Sequence, residues 1–341
     1  MSIVFTVWIS MDPQLPVEVL EDQLREAAGR QLGSTPYTNA RPIRVTAPFD
    51  QKTVEELVVG RCPHVPLERW QEAETVDRIM IEDRVVGLQD QVRAGESVKL
   101  LIPNYLEPEI NPDIKVLYYD GQVIAFLKPA PLPVHPCGRY NRNTLVHIWR
   151  EVFPDTTLRL AHRLDASTTG MLVATLTKEA AGIVQPQFES RSVTKDYLAL
   201  VEGLPTYSEK TIDAAIDERP RLKARRGISD TGRSATTEFE VLHRDERLET
   251  TLMRCRPISG RTNQIRIHCF HQGFPIVGDP AYCESPDTEI AMVDSELELN
   301  LHAWKIEFTH PDGHQVKLTA PPPKWAQERL LAAEAPAITA T

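Results

Sequence analysis

The 341-residue sequence contains no run of about 20 apolar residues, the length that a helix needs to cross a bilayer. It also lacks the glycine-rich loops of nucleotide-binding proteins, the G-x-S-x-G elbow of serine hydrolases and the H-E-x-x-H helix of zinc proteases. No basic residue precedes Arg25, so the apolar start does not fit a signal peptide. These absences argue against a membrane protein, a serine hydrolase and a zinc protease.

Cysteine is scarce and shows no pairing pattern. The chain has five cysteines, none of them in a C-x-x-C pair, at Cys62, Cys137, Cys255, Cys269 and Cys283. An odd number at wide spacing is typical of reduced thiols rather than of a disulfide framework or a zinc ribbon. We therefore expect a cytoplasmic location.

The net charge of −10 argues at first against a nucleic-acid partner, but the charge is unevenly distributed. Residues 1–110 carry 11 basic and 18 acidic side chains, residues 111–284 carry 23 and 21, and residues 285–341 carry 4 and 9. The acidic excess therefore lies at the two ends. Because phosphate contacts depend on local Lys and Arg, the middle of the chain is still compatible with RNA binding.

A proline-bearing connector at residues 103–112 suggests a domain boundary. We predict an N-terminal extension at residues 1–48, a small compact unit at residues 49–104 and a larger domain at residues 112–328. In the larger domain, Asp120-Gly121 between two apolar runs indicates a β-hairpin.

The larger domain contains many strands and few helices. The predicted strands are residues 114–119, 122–127, 170–176, 194–201, 235–242, 248–255, 298–308 and 315–318. The predicted helices are residues 177–189, 261–271 and 324–332. This order favours an α+β fold with a mixed, mainly antiparallel sheet over a doubly wound fold.

Three polar stretches carry candidate chemistry. The first, His162-Arg163-Leu164-Asp165-Ala166-Ser167-Thr168-Thr169-Gly170, precedes an apolar strand that could hold Asp165 at the edge of a cleft. The second, residues 259–268, contains Arg261 and Arg266, and the third, residues 194–203, contains Tyr197. Each also has a structural interpretation, namely a capped turn, surface ion pairs and a strand aromatic.

Together these stretches resemble the RluA-type RNA pseudouridine synthases. Their H-R-L-D-x-x-T-S-G loop is similar to residues 162–170, with Thr169 in place of Ser. Their K-x-Y-x-A-x-V-x-G strand resembles residues 195–203. Their G-R-T-H-Q-I-R-x-H segment resembles residues 260–268, with Asn263 in place of His. Further likeness at residues 123–136, 230–237, 275–282 and 301–303 extends the resemblance over about residues 114–325, although Pro131 stands where Gly is usual.

The resemblance implies an isomerase that works in a central cleft with no metal and no redox cofactor. Such an enzyme breaks the N1–C1′ bond of a uridine, turns the base and joins it again through C5. Asp165 would be the essential carboxylate, as nucleophile or in proton abstraction, and Arg266 would pair with it. Tyr197 would lie against the target base, with its hydroxyl available for proton transfer.

Structured RNA is the partner that the resemblance implies, and its uridine must be flipped out before reaction. His162 and Arg163 are candidates for base flipping or phosphate contact, and loop anchoring is an equal alternative for His162. A basic run at residues 219–226 could bind RNA or form only a solvated face. The further predicted RNA contacts are Lys128, Arg221, Lys223, Arg225, Arg226, Arg233 and Arg261. We predict no metal site, because the side chains of the His268-Cys269-x-His271 segment would point in different directions on a helix.

Residues 49–104 resemble a degenerate S4-type module, which binds RNA in other proteins, but their acidic balance leaves an RNA-binding role open. The resemblance allows ribosomal RNA or transfer RNA as substrate, and we expect a monomer. Two other functions stay open at this point. One is a catalytically silent RNA-binding protein or RNA chaperone on the same scaffold, and the other is a nucleosidase that would release free uracil.

Overall fold

The computed structural model describes residues 15–63, 65–217, 225–283 and 298–334. None of the helices in these residues could span a bilayer. The chain divides into two compact units. One is Leu32–Glu107, and the other combines Met1–Gln31 with Pro108–Thr341.

The unit Leu32–Glu107 is built on an antiparallel sheet with the strand order β1-β4-β2-β3. Its strands are β1 (Tyr37–Arg44), β2 (Ile79–Ile81), β3 (Arg84–Val85) and β4 (Ser97–Tyr105). Its helices are α2 (Val54–Arg61) and α3 (Leu67–Glu74), with a 3-10 turn at Ala47–Phe49. Thr53 and Glu56 cap α2 reciprocally, which satisfies two backbone N–H groups at its start.

This unit begins before the predicted boundary at residue 49. The reason is that β1 pairs along the whole of β4, from Tyr37 opposite Tyr105 to Arg44 opposite Ser97. Residues 37–44 therefore belong to the sheet and not to an extension. The S4-like character of this region stays a prediction.

The larger unit holds the remaining elements. Its strands are β5 (Lys115–Tyr119), β6 (Val123–Lys128), β7 (Arg159–Leu160), β8 (Thr169–Thr175), β9 (Thr194–Glu202), β10 (Glu209–Asp213), β11 (Thr236–Asp245), β12 (Thr250–Pro257), β13 (Leu301–Thr309) and β14 (Gln315–Thr319). Its helices are α1 (Val17–Gly29), α4 (Leu145–Val152), α5 (Lys178–Glu189), α6 (Gln264–His271) and α7 (Lys324–Glu334).

One large sheet runs through this unit in the order β10-β11-β12-β9-β13-β8-β6-β5, with β14 beside β13 and β7 beside β8. Among the described strands, β13 and β8 form the one parallel pair, and the other neighbours are antiparallel. The predicted α+β class with a mixed, mainly antiparallel sheet is confirmed.

Helix α1 belongs to the larger unit and not to an N-terminal extension, as residues 1–48 were predicted to be. Leu20, Leu24 and Ala27 recur at helical spacing and are buried in the same core as α4 and strands β5, β6 and β8. The carboxylate of Glu21 also accepts a hydrogen bond of 2.6 Å from the backbone N–H of Val116 in β5. The sequence shows this apolar stripe but not the surface against which it packs.

Two hydrophobic cores meet at the centre of the large sheet. One lies around α1, α4, β6 and β8, and the other lies around α6, β9 and β12. Tyr197 on β9 packs against both cores. The residues around Tyr197 are therefore held by well-packed elements on two sides, which is what a rigid site requires.

Candidate active site

Three neighbouring strands bring the predicted motifs together. Gly170 on β8 is in register with Ala303 on β13, and Ala303 is in register with Tyr197 on β9. The loop that contains Asp165 leads directly into β8. Asp165 therefore lies in a loop next to the place where Tyr197 stands on the sheet, close enough for its charge to act on the Tyr197 phenol.

Gly170 allows β8 and β13 to approach each other at this point. Its φ is +106°, and a Cβ atom there would lie 2.3 Å from the carbonyl oxygen of Ala303. Only glycine fits both conditions. The adjacent Thr169, where the resembled motif has Ser, keeps its hydroxyl oxygen 2.8 Å from Nδ1 of His302. The extra methyl group is thus accommodated without loss of this contact.

Lys128 holds the Asp165 loop in place through hydrogen bonds to backbone carbonyl groups. Its ammonium group donates hydrogen bonds to the carbonyl oxygens of Pro129 (2.8 Å), Leu132 (2.9 Å) and Ala166 (3.1 Å). Burial lowers the pKa of Lys128 to about 7, while the charge of Asp165 acts in the opposite direction. With 1% of its surface exposed, Lys128 cannot reach RNA, so the prediction of an RNA contact is wrong for this residue.

Arg266 on α6 links two carboxylates. Its Nε and Nη2 donate hydrogen bonds of 2.7 Å to the two oxygens of Asp279, and its Nη1 lies 3.3 Å from Oδ2 of Asp165. The side chain of Arg266 is 9% exposed, whereas that of Asp165 is 36% exposed. Asp279 therefore fixes the guanidinium in a bidentate pair, and Asp165 faces the accessible side. The surface ion-pair interpretation of Arg266 does not hold.

The charges of Asp165, Arg266 and Asp279 affect the pKa values of Arg266 and Asp279. Burial alone would lower the pKa of Arg266, but hydrogen bonding to Asp279 and the charges of Asp279 and Asp165 raise it above its ordinary value. Burial alone would raise the pKa of Asp279, but Arg266 and the backbone N–H groups of Tyr282 and Ala281 bring it below its ordinary value. Arg266 and Asp279 therefore both stay ionised in a buried site.

Helix α6 is fastened to β11 in a way that points Arg266 at Asp165. The buried side chain of Gln264 donates hydrogen bonds of 2.9 Å to the carbonyl of Thr236 and to the hydroxyl of Thr237. One turn later, Nδ1 of His268 lies 2.9 Å from the same hydroxyl. Gln264 and His268 occupy the helix face towards β11, which leaves Arg266 on another face.

Asn263 precedes α6 in the left-handed conformation, with φ of 57°. Asparagine tolerates this region better than most residues do. Its Oδ1 accepts a hydrogen bond of 3.3 Å from Nη1 of Arg266, and its Nδ2 donates one of 3.2 Å to the hydroxyl of Tyr282. The ring of Tyr282 lies under the guanidinium, 5.1 Å from Cζ of Arg266. The amide of Asn263 thus orients the nitrogen that faces Asp165.

Tyr197 presents a phenol that holds its proton. Burial and the negative charge of Asp165 both raise the pKa of Tyr197 above its ordinary value. The side chain is partly exposed at the junction of the two cores. It can therefore offer an aromatic ring and a protonated hydroxyl to a ligand that contacts Asp165.

His162 anchors the loop from a half-buried position. Its ring stacks on Phe188 with centroids 4.9 Å apart, and its Nε2 accepts a hydrogen bond of 3.1 Å from the backbone N–H of Val173. Burial, aided by the charge of Lys195, lowers the pKa of His162 to about 3, so the ring is neutral. These contacts, a stacked ring and a backbone hydrogen bond, are those expected of the anchoring alternative.

Arg163, the next residue, is exposed, and its Nη1 lies 3.4 Å from Nε2 of His135. Of the other predicted RNA contacts, Arg233 is exposed and Arg225 and Arg226 are partly buried. Nε of Arg261 donates a hydrogen bond of 3.1 Å to the carbonyl of Ser234. Arg221 and Lys223 lie outside the described residues.

The roles of Asp279, Asn263 and Tyr282 were not predicted from the sequence. The one available signal was their position in the stretches that resemble the family. An Asp between Gly278 and Pro280 has the composition of an ordinary turn. The buried pairing of Asp279 with Arg266 depends on a contact across 13 residues that no local pattern shows.

Comparison with known proteins identifies RNA pseudouridine synthases by family model, by sequence and by structure. A family model described as RNA pseudouridylate synthase matches residues 122–271. The chain is 35% identical over 271 residues to ribosomal large subunit pseudouridine synthase D of Xanthomonas campestris pv. campestris, covering 74% of this chain and 80% of that protein. It is 32% identical to the protein of the same name from Nitrosomonas europaea, covering 75% and 76%.

Among solved structures, human RNA pseudouridylate synthase domain containing 1 is similar, with 28% identity and a TM-score of 0.53. The match covers 64% of this chain and 87% of the human chain.

Proposed function

The chain belongs to the RluA-type family of RNA pseudouridine synthases, and from this membership we propose that Asp165 supplies the carboxylate with which it isomerises uridine in RNA. The observation that supports this role is the contact of Asp165 with Arg266, which is itself held by Asp279. Asp165 is the accessible carboxylate of this group, so it can meet a flipped-out nucleotide while the buried ions stay in place.

In the proposed reaction, Asp165 acts at the ribose as the N1–C1′ bond of the uridine breaks. The base turns and a C5–C1′ bond forms, after which C5 loses its proton and N1 gains one. The positive charge of Arg266 offsets the cost of enclosing the Asp165 carboxylate. The ring of Tyr197 holds the base while it is detached. Because the Tyr197 phenol stays protonated, it acts as a hydrogen-bond donor or proton relay rather than as a standing base.

Arg163 is the proposed base-flipping residue. It adjoins the Asp165 loop and is exposed, whereas the ring of His162 is stacked on Phe188. A long cationic side chain at this position can fill the gap left by the uridine and contact a phosphate.

We propose large-subunit ribosomal RNA as the substrate, since that is the RNA named for the relatives from Xanthomonas campestris and Nitrosomonas europaea. We also propose a monomer in the cytoplasm. Cys62, Cys255, Cys269 and Cys283 are free thiols, as expected in a reducing compartment.

The test is tritium release from C5-labelled transcripts of large-subunit ribosomal RNA and of transfer RNA, with wild type and Asp165→Asn side by side. We expect release by wild type from ribosomal RNA and none by Asp165→Asn, while filter binding shows similar affinity for both. Release only from transfer RNA would overturn the substrate. No release despite tight binding would favour an RNA-binding role, and free uracil would indicate a nucleosidase.

A further inference from the structure

A cavity of about 360 Å³ lies beside α6, close to Arg266. Ile267 and Tyr282 line its buried part, and Phe270 and Arg226 lie among its other lining residues. This volume is at the lower end of the range for small-ligand sites, about 300–1,000 Å³. The ring of Tyr282 also contacts the guanidinium of Arg266, so the side chain of Tyr282 borders both the cavity and the active site.

Phe270 gives the cavity an unusual chemical character. It is 42% exposed, although most large aromatic side chains of the described chain are buried or partly buried. His271, next to it on α6, is also exposed and lines the same cavity. Exposed rings beside a basic segment are the combination with which proteins bind unpaired nucleotides, because each base offers a face for stacking.

The charge of the cavity is positive. Arg225 and Arg226 line it, and none of its described lining residues carries a carboxylate. In a chain of net charge −10, two adjacent arginines at a cavity with aromatic walls favour an anionic ligand. Phosphate next to an aromatic base satisfies both features.

A chain of hydrogen bonds connects this cavity with the Asp165–Arg266 pair. The hydroxyl of Tyr282 accepts hydrogen bonds of 3.2 Å from the backbone N–H of Arg226 and from Nδ2 of Asn263. Oδ1 of Asn263 accepts from Nη1 of Arg266, the nitrogen that faces Asp165. A ligand that orders Arg226 and Tyr282 would therefore also hold the orientation of Arg266.

We infer that this cavity is a second nucleotide site, which takes one unpaired nucleotide of the same RNA strand near the target uridine. Its base stacks on Phe270, and its phosphate lies on Arg225 and Arg226. The inference rests on the proposed function, because it assumes that RNA is the ligand of the adjacent active site. It extends the recognised RNA beyond the flipped uridine to a neighbouring splayed-out base, as is common for single-stranded RNA recognition.

The test compares Phe270→Ala and Arg226→Gln with two matched controls. Ile183→Ala removes an exposed apolar side chain from α5, and Arg247→Gln removes an exposed arginine from the turn between β11 and β12. Arg226→Gln keeps the backbone N–H that binds Tyr282. The measurement is fluorescence anisotropy with labelled transcripts of large-subunit ribosomal RNA and transfer RNA, after each variant is shown to keep the wild-type melting temperature.

Loss of a stacked base predicts a Kd about tenfold higher for Phe270→Ala, with a similar rise for Arg226→Gln. Both controls should bind within about twofold of wild type. Ultraviolet crosslinking followed by peptide mapping should attach RNA to the peptide that contains Phe270 in wild type.

Wild-type affinity of Phe270→Ala would overturn the inference, even if Arg226→Gln bound weakly, because that result would leave only a phosphate contact. Tritium release by wild type is measured separately. Release together with unchanged binding of Phe270→Ala would overturn the second site and keep the proposed function. Absence of release by wild type, together with weakened binding of Phe270→Ala, would overturn the proposed function and keep the second nucleotide site.

Discussion

Asp279 determines where Arg266 points, although the side chain of Asp279 is fully buried. It holds two of the three guanidinium nitrogens of Arg266 and accepts hydrogen bonds from the backbone N–H groups of Ala281 and Tyr282. Removing one partner of a buried ion pair leaves an uncompensated charge, which costs about 3–5 kcal/mol of stability. The same removal frees Arg266 to turn away from Asp165.

We therefore expect Asp279→Asn to lower the free energy of unfolding by about 3 kcal/mol and to slow single-turnover tritium release at least about tenfold. The control is Asp196→Asn, which breaks a second bidentate pair, with Arg256 on β12. Because Arg256 is 35% exposed, water can replace its partner, and we expect a smaller loss of stability and unchanged turnover. Urea unfolding and tritium release decide the matter, and wild-type turnover by Asp279→Asn would refute the role of Asp279.

At the residue scale, the candidate catalytic residues can be predicted from the sequence, but the burial of their neighbours cannot. Asp165, Arg266 and Tyr197 were predicted from motif resemblance. Asp165 and Tyr197 lie together because β8, β13 and β9 are neighbours, and Arg266 reaches them from α6, which is hydrogen-bonded to β11. Lys128 and His162 stand in or beside the motifs and have side chains suited to RNA, so Lys128 was predicted to contact RNA and His162 either to contact RNA or to anchor the loop. Lys128 instead holds carbonyl groups under the loop, and His162 stacks on a ring of α5. Residue type alone reveals neither contact.

At the scale of elements, the junction of β8 and β13 is the place where the backbone geometry is most demanding. A Cβ atom at Gly170 would meet the backbone of Ala303, which cannot move without separating the two strands. Glycine is also the one residue at ease with the φ of Gly170. The parallel pairing of these strands positions the Asp165 loop, so its loss would reach the active site.

Gly170→Ala should accordingly destabilise the protein by more than about 2 kcal/mol and abolish tritium release. The matched control is Gly182→Ala in α5, where a Cβ atom meets nothing within 4 Å. There the same substitution should raise the free energy of unfolding by about 0.5–1 kcal/mol and leave turnover unchanged. Thermal unfolding of both variants provides the comparison. Equal changes in stability for Gly170→Ala and Gly182→Ala would show that the close approach of β13 does not require glycine at position 170.

The elements that sequence analysis found share a clear local pattern. Strands β5, β6, β8, β9, β11, β12, β13 and β14 were each predicted within a few residues of their ends. Strand β10 was missed because Glu209–Asp213 is a charged, exposed edge strand without an apolar run. Helix α6 was expected from residue 261 but begins at Gln264, because Asn263 takes the left-handed conformation. Strand β10 forms by pairing with β11, and the start of α6 is set by the backbone conformation of Asn263. Hydrophobic periodicity predicts neither feature.

At the scale of the whole molecule, burial of neutral histidines couples folding to pH. Burial lowers the pKa of His302 to about 4 and that of His162 to about 3, against an ordinary value near 6.5 in the unfolded chain. Below pH 6.5 the unfolded chain therefore binds protons that the native protein does not bind. The free energy of unfolding must fall as the pH drops from about 6.5 towards these values, by about 2 kcal/mol for each histidine at about pH 5.

His302→Asn isolates one of these contributions, because the amide oxygen of asparagine can still accept a hydrogen bond from Thr169, the residue that contacts Nδ1 of His302. At about pH 7.5 the variant reports the loss of packing alone. Between about pH 7.5 and pH 5, we expect urea unfolding to show a loss of stability about 2 kcal/mol smaller for His302→Asn than for wild type. The carboxylates contribute equally to both proteins, so the difference belongs to the histidine. If the two proteins lost the same free energy over this range, His302 would have to be able to take up a proton in the folded state.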